Sequence, residues 1–291
     1  MAGPLVSFIT PTYNRAYILG EALESIRAQT YPDWEAIVID DGSTDNTKEL
    51  VEGYGDDRIH YRYQENTGQI KARNHALDYA RGEWIAYLDS DNTVFPEFLS
   101  VMRAVIQETP NTLWTFPKGY RYLELWQNGT MLECIDQTAE FPNSLTPRDI
   151  VHRKIHTDMN GFMHSRKILE DGIRFDEALT GFEDWDLFLT LAEKYPDNFL
   201  YVSQILYTYR QRFGGDGVVS NTGYRRMAGE FEQIYQKHKN DKLMEGQGWY
   251  PNRVEKWNKL ADEFEKGLIP PYPFYYFKNH WPKRYLVQSG S

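Results

Sequence analysis

Through roughly the first third of the chain, apolar positions alternate between short unbroken runs and recurrences at three- and four-residue steps, the marks of buried strands and amphipathic helices. Leu5-Val6-Ser7-Phe8-Ile9, Ala36-Ile37-Val38-Ile39, Ile59 to Tyr63 and Trp84 to Leu88 predict strands. Between them Ile18, Leu19, Ala22, Leu23 and Ile26 predict a helix, Asp45-Asn46 caps a second through Leu50 and Val51, and Ala72 to Ala80 predict a third, stopped at Gly82. This order requires right-handed crossovers and a mostly parallel sheet with helices on both faces, a Rossmann-like α/β layer. Beyond Pro96 the pattern changes to a helix over Phe98 to Ile106 and strands over Leu113 to Leu125 and Met131 to Ile135, joined at the hairpin signal Gln127-Asn128-Gly129. From about Gly223, first Met227, Phe231, Ile234 and Tyr235, then Val254, Trp257, Leu260 and Phe264, predict polar helices. The expected division is an α/β domain over 1–222, in halves 1–95 and 96–222, and a helical, aromatic extension over 223–291.

Composition narrows the classes. A net charge of −10 argues against broad nucleic-acid binding, and any anionic substrate must be met by a local basic cluster. The single cysteine, Cys134, excludes an internal disulfide framework and a thiolate zinc cluster; it is expected to be a small buried residue in a strand. No apolar run reaches the roughly 18 residues that begin to span a bilayer, and Met1-Ala2-Gly3-Pro4 leads straight into a strand, so the expectation is a cytoplasmic protein. The aromatic, locally basic stretch 268–285 has two readings: peripheral docking at the inner face of a membrane, or packing against the core or a second subunit.

Parallel strands bring their carboxyl ends to one edge, where α/β sheets place ligand chemistry. That edge carries Pro11-Thr12-Tyr13-Asn14-Arg15, Asp40-Asp41-Gly42-Ser43-Thr44-Asp45, Glu65-Asn66-Thr67-Gly68 with Lys71 and Arg73 just beyond, and Asp89-Ser90-Asp91. Two acids one residue apart there can hold Mg2+ or Mn2+ against a diphosphate. Tyr13 can stack on a base, Asp41 can accept from a base imide or ribose hydroxyl, and Arg15, Lys71 and Arg73 supply charge for phosphates. Taken singly, Asp40 to Ser43 is an ordinary turn, and Lys71 with Arg73 an ordinary solvated helix face. Their common location is what favours a nucleotide-sugar site.

Ser7 through Arg15, Ile39 through Asp45, Asn66-Thr67-Gly68 through Ala72-Arg73-Asn74, and Leu88-Asp89-Ser90-Asp91, in that order and spacing over roughly residues 5–212, resemble the inverting family 2 glycosyltransferases of GT-A fold. The resemblance implies a mixed central sheet with helices on both faces, a nucleotide-binding half at 1–95 and an acceptor half at 96–222. It puts Pro11, Tyr13, Arg15, Asp41, Gly68, Lys71, Arg73, Asp89, Ser90 and Asp91 at a nucleoside diphosphate sugar, UDP-linked, with Tyr13 and Asp41 on the base, Arg73 near the phosphates and Asp91, beside Asp89, as principal metal contact. It also makes Gly181-Phe182-Glu183-Asp184-Trp185-Asp186-Leu187 the segment of the base that deprotonates the acceptor hydroxyl. Asp184 takes that role, Glu183 is the alternative or orients the acceptor, and Asp186 sits on the first helical turn. Asn160, Gly161 and Trp185 fall on the acceptor side, toward a glycan, glycolipid, lipid-linked or glycoprotein hydroxyl.

One departure stands out. Many members carry a histidine after the strand ending in Tyr-Arg, and Tyr207-Thr208-Tyr209-Arg210-Gln211-Arg212-Phe213-Gly214-Gly215-Asp216 has none. Either Asp91, the diphosphate and water suffice for the metal, or Arg210 and Arg212 take part of the leaving-group charge. Gly214 to Gly217 reads equally as a loop closing over the donor or as a surface turn; His152, His156 and His164 are expected in packed or surface roles. Two other classes stay open: a nucleotidyltransferase, against which the glycine-free Pro11 to Arg15 counts, and a non-catalytic nucleotide-sugar or glycan-binding module, against which the intact Asp184 counts.

Overall fold

A computed structural model describes residues 6–127, 130–137, 143–151, 158–213, 223–241 and 249–268. The chain forms two compact units, 1–121 with 138–209 and 122–137 with 210–291. The boundary expected at 222 therefore falls inside the second unit.

In the first unit β1 (Val6–Thr12), β2 (Trp34–Asp41), β3 (Ile59–Gln64) and β4 (Trp84–Tyr87) are parallel, in the spatial order β3-β2-β1-β4. β1 and β2 are buried along their whole length, which is why their sequences are continuous rather than alternating apolar runs. The crossovers are α1 (Ala16–Arg27), α2 (Thr47–Glu52) and α3 (Gln69–Tyr79). On α1, Leu19 and Leu23 pack with Val38 of β2 and Val51 of α2, and each such fully buried side chain is worth roughly 2 kcal/mol. Because β2 and β4 flank β1 on opposite sides, the winding direction reverses there. In α/β sheets such a reversal is where a crevice forms beyond the carboxyl ends of the strands, here those of β1 and β4.

The chain continues through β5 (Thr93–Val94), α4 (Phe98–Glu108), β6 (Trp114–Gln127), β7 (Thr130–Gln137), α5 (Pro147–Val151), β8 (Met163–Ser165), α6 (Lys167–Glu170), α7 (Glu183–Lys194) and β9 (Phe199–Phe213). The sheet extends from β4 through β8, β6, β9 and β5, with β8 antiparallel to β4 and β6 and β9 antiparallel to β5. This is the mixed half expected beyond Pro96. In the second unit, α8 (Tyr224–His238) and α9 (Trp249–Glu265) pack through Tyr224, Trp257, Leu260 and Ala261.

Cys134 corrects its expectation. It is exposed on β7, a strand that pairs with β6 off the main path of the sheet. His164 meets its expectation of a packed role: it is buried, with Nε2 at 2.9 Å from the Tyr87 hydroxyl and Nδ1 at 2.9 Å from the Ser165 carbonyl, and burial draws its pKa down to about 4. The Asn128-Gly129 turn, His152, His156, the Gly214 to Gly217 loop and residues 269–285 of the aromatic tail lie outside the described residues. Among the described residues no helix is long and apolar enough to cross a membrane.

Candidate active site

The loops after β1 and β2 hold each other. Asn14, in left-handed backbone at φ 51, donates its N–H to Ser43 Oγ (2.8 Å), and its Oδ1 accepts from Thr44 N–H (2.7 Å). Asp45 accepts from Ala16 N–H (2.9 Å) and Thr47 N–H (3.1 Å), tying the starts of α1 and α2 to one carboxylate. Pro11 is paired inside the sheet with Ile39, and next to this braced rim the Tyr13 ring stands 48% exposed, open to a flat partner. Asp41 is buried. It accepts from Gln64 Nε2 (2.7 Å), Thr67 N–H (2.9 Å) and Gly68 N–H (2.8 Å), so it fixes the turn at Gly68 (φ 94, ψ 154) that launches α3.

Lys71 and Arg73 are not brought together. Two residues on a helix differ by about 200° in direction. Lys71 turns to an outer cleft shared with Gln64, Asn74, His75, Asp78, Arg174 and Glu177. Arg73 turns inward and is 3% exposed, with Nη2 donating to Asp89 Oδ1 (2.7 Å) and Nη1 to Glu183 Oε1 (2.5 Å). Arg73 is a buried bridge between two acids. Gln69 also donates to Glu183 (2.8 Å), which is itself 5% exposed. Arg73 and Gln69 thus both hold the Glu183 carboxylate. Arg15 does reach the crevice: its Nη1 lies 3.0 Å from Asp91 Oδ2 and 3.5 Å from Ser90 Oγ. Arg210 and Arg212 both pair with Glu124 of their own unit, at 3.7 and 3.3 Å.

Asp184 lies on the first turn of α7 with Glu183 and Asp186, where the helix dipole favours ionised acids. Its Oδ1 accepts from Trp185 N–H (2.7 Å), and Phe182 before the helix is held at φ 55, a left-handed conformation rare for a bulky residue. Asp184 is half-buried, whereas Glu183 and Asp186 are buried. Asn160, Gly161 and Trp185, expected to line the acceptor side, are also buried: Trp185 belongs to the core, and Asn160 spends its carboxamide on Asp89 and Asp158.

Sequence reasoning missed Asp158, Tyr207 and Tyr209. The Tyr209 phenol is pushed well above its ordinary range, first by burial and then by the carboxylates of Asp158, Asp91, Asp184 and Asp89. Carboxylates from three separate segments thus act on one phenol. Asp158 is 6% exposed, and burial raises its carboxyl to about 7 against the opposing hydrogen bonds from Asn160. An acid whose folded pKa exceeds its unfolded value of about 4 holds its proton more tightly when folded. That stabilisation is complete below the unfolded value and lost as pH rises through about 7. Asp158→Asn keeps the shape without the charge. Its Tm advantage over the wild type, by scanning calorimetry, is expected to grow between pH 5 and pH 8 to about 3 °C or more; a pH-independent difference would rule out this account of the buried acid.

The oxygen donors of Asp91 and Asp89 suit a hard divalent cation, which needs one or two carboxylates when phosphates and water complete its shell. Asp89 already gives Oδ1 to Arg73 and Oδ2 to Asn160 (3.2 Å). Asp91 faces Arg15, which is less enclosed than Arg73, and Asn92 Nδ2 (3.0 Å). Asp91 is the better placed ligand, and the residues fit the metal.

Residues 7–172 match the family model described as glycosyl transferase family 2. The putative teichuronic acid biosynthesis glycosyltransferase TuaG of Bacillus subtilis is 37% identical over 155 residues, covering 52% of this chain and 59% of that one. An uncharacterized glycosyltransferase of Rickettsia felis is 31% identical over 67% of this chain and 33% of its own length, so the chain spans less than two thirds of these relatives. The putative colanic acid biosynthesis glycosyl transferase WcaA of Escherichia coli is 27% identical over 81% of this chain and 82% of its own. Among solved structures, S. aureus TarS 1–349 in complex with UDP-GlcNAc superposes with a TM-score of 0.65 at 21% identity, over 96% of this chain and 76% of that one. The mannosyltransferase PcManGT of Pyrobaculum calidifontis, in complex with GDP-Man and Mn2+, superposes with a TM-score of 0.56 at 19% identity, over 97% and 88%. The fold is that of these enzymes, a GT-A fold.

Proposed function

Since the chain belongs to glycosyl transferase family 2, we propose that it moves a hexosyl group with inversion from a UDP-linked donor to a hydroxyl of a glycan, glycolipid or glycoprotein. The observation that carries this reading is the meeting of three segments at one place: Arg15 reaches Asp91, and Arg73 bridges Asp89 to Glu183, the neighbour of Asp184. The similarity to proteins named for teichuronic and colanic acid biosynthesis favours a polysaccharide as acceptor, and the UDP-GlcNAc complex of a structural relative favours UDP.

In this reading the exposed Tyr13 ring receives the base and Arg15 meets the diphosphate. Asp91, with Asp89 beside it, holds Mn2+ or Mg2+, which when bound neutralises charge on the departing diphosphate. Arg73 keeps Asp89 and Glu183 in place. Asp184, the half-buried acid of the α7 turn, takes the proton from the acceptor hydroxyl as that oxygen attacks the anomeric carbon.

Thermal-shift titration with nucleoside diphosphates and their sugars tests the reading, because a ligand held 100-fold above its Kd adds about 2.7 kcal/mol to stability. UDP with Mn2+ is expected to raise Tm, and Asp91→Ala to weaken that binding by about tenfold or more. If no nucleoside diphosphate shifts the wild type and no donor is turned over, the reading fails.

A further inference from the structure

Next to Asp89, three buried polar groups form a ladder that the transfer chemistry does not use. Asn160 grips Asp89 at two points: its Oδ1 accepts the Asp89 backbone N–H (2.8 Å) and its Nδ2 donates to Asp89 Oδ2 (3.2 Å). The same Nδ2 donates to Asp158 Oδ1 (2.8 Å), which also accepts Asn160 N–H (2.8 Å). The Tyr207 hydroxyl donates to the other oxygen, Asp158 Oδ2 (3.2 Å). Asn160 and Tyr207 are fully buried and Asp158 is 6% exposed.

The carboxamide cannot turn over without loss, because Asp89 N–H needs an acceptor and Asp158 offers only acceptors while ionised. Tyr207 is held as firmly: a Cβ at Gly119 would lie 2.4 Å from its ring, and one at Gly161 2.6 Å from it, so two glycines form the slot that aims the hydroxyl at Asp158. A buried acid placed this way costs stability unless it serves another group.

We infer that Asp158 is a positioning residue, whose carboxylate, held by Tyr207, locks the Asn160 carboxamide and through it fixes the Asp89 turn that receives the second phosphate of the donor. The inference rests on the donor site proposed above. Asp158→Ala removes the lock and frees Asn160, so affinity for UDP, by calorimetric titration with Mn2+ present, is expected to fall about tenfold. Affinity for UMP, which lacks the second phosphate, is expected to change less than about twofold. Asp158→Asn, which still offers an oxygen to Asn160, is expected to rescue UDP binding to within about twofold. A purely structural role predicts a lower Tm and a smaller binding stoichiometry with Kd unchanged for both ligands, and that result overturns the inference. So does an equal loss of UDP and UMP. Should Asp158→Ala not fold, Asn160→Asp, which deletes the Nδ2 donor at constant shape, is expected to show the same selective loss, and equal UDP affinity in that variant is equally fatal. A wild type that ignores UDP sinks the donor site itself, an outcome distinct from a wild type that binds UDP and variants that bind it as well.

Discussion

Asp184→Asn is expected to bind UDP as tightly as the wild type while transferring sugar about a thousandfold more slowly, the usual range for losing a general base. The neighbouring acids sharpen the expectation. Glu183 is committed to Arg73 and Gln69, and Asp186 is buried, so neither replaces a missing base. Asp184 is the half-buried acid of this turn, and the left-handed Phe182 directly precedes the turn. The amide retains the acceptor for Trp185 N–H, so the turn survives and the proton acceptor alone is removed. Single-turnover transfer beside calorimetric UDP binding separates the two effects. Transfer within about tenfold of the wild type would take Asp184 out of the reaction.

The second large effect concerns stability. Arg73→Met places an apolar side chain of similar length between Asp89 and Glu183 and leaves both carboxylates without their shared cation. Breaking a buried pair in this manner costs about 3 to 5 kcal/mol, because the remaining charge keeps its desolvation penalty. Asp89 is partly open to solvent, so the lower figure, about 3 kcal/mol, is the expected fall in urea unfolding free energy. Arg73→Lys is expected to recover less than half, since an ammonium cannot span two acids as the guanidinium fork does. Adding Glu183→Gln to Arg73→Met is expected to restore part of the loss, because one of the stranded charges disappears. A loss under about 1 kcal/mol for Arg73→Met would mean that the bridge carries no weight.

The contrast between Arg73 and Lys71 shows what a linear reading captures. Unbroken apolar runs announced β1, β2 and β4 because strands buried on both faces have no reason to alternate, and the acidic and aromatic loops could be assigned to one edge because parallel strands share it. The apolar spacing starts α3 at Ala72, three residues late against Gln69. Its launch depends on Asp41 reaching across from β2 to Thr67 and Gly68, and no local periodicity records a cap supplied from 26 residues away. Arg73 and Lys71 looked equivalent until the turn of the helix separated them, and then the partner of each was decided by Glu183 or by the outer cleft, far along the chain. Asp158 had no signal at all: a lone acid between Thr157 and Met159 acquires its meaning from Tyr207, 49 residues later.

The glycine slot around Tyr207 has a consequence for tracing kinship across wide divergence. Positions 119 and 161 close on the same ring from different segments, and even one added carbon at either would press on it. A side chain at 119 requires that ring to shrink, whereas one at 161, at φ 73, stays strained even then. For very remote kin, a pair of small residues bracketing a hydroxyl-bearing ring is therefore a more discriminating fingerprint than a short acidic triplet, which chance alone produces often.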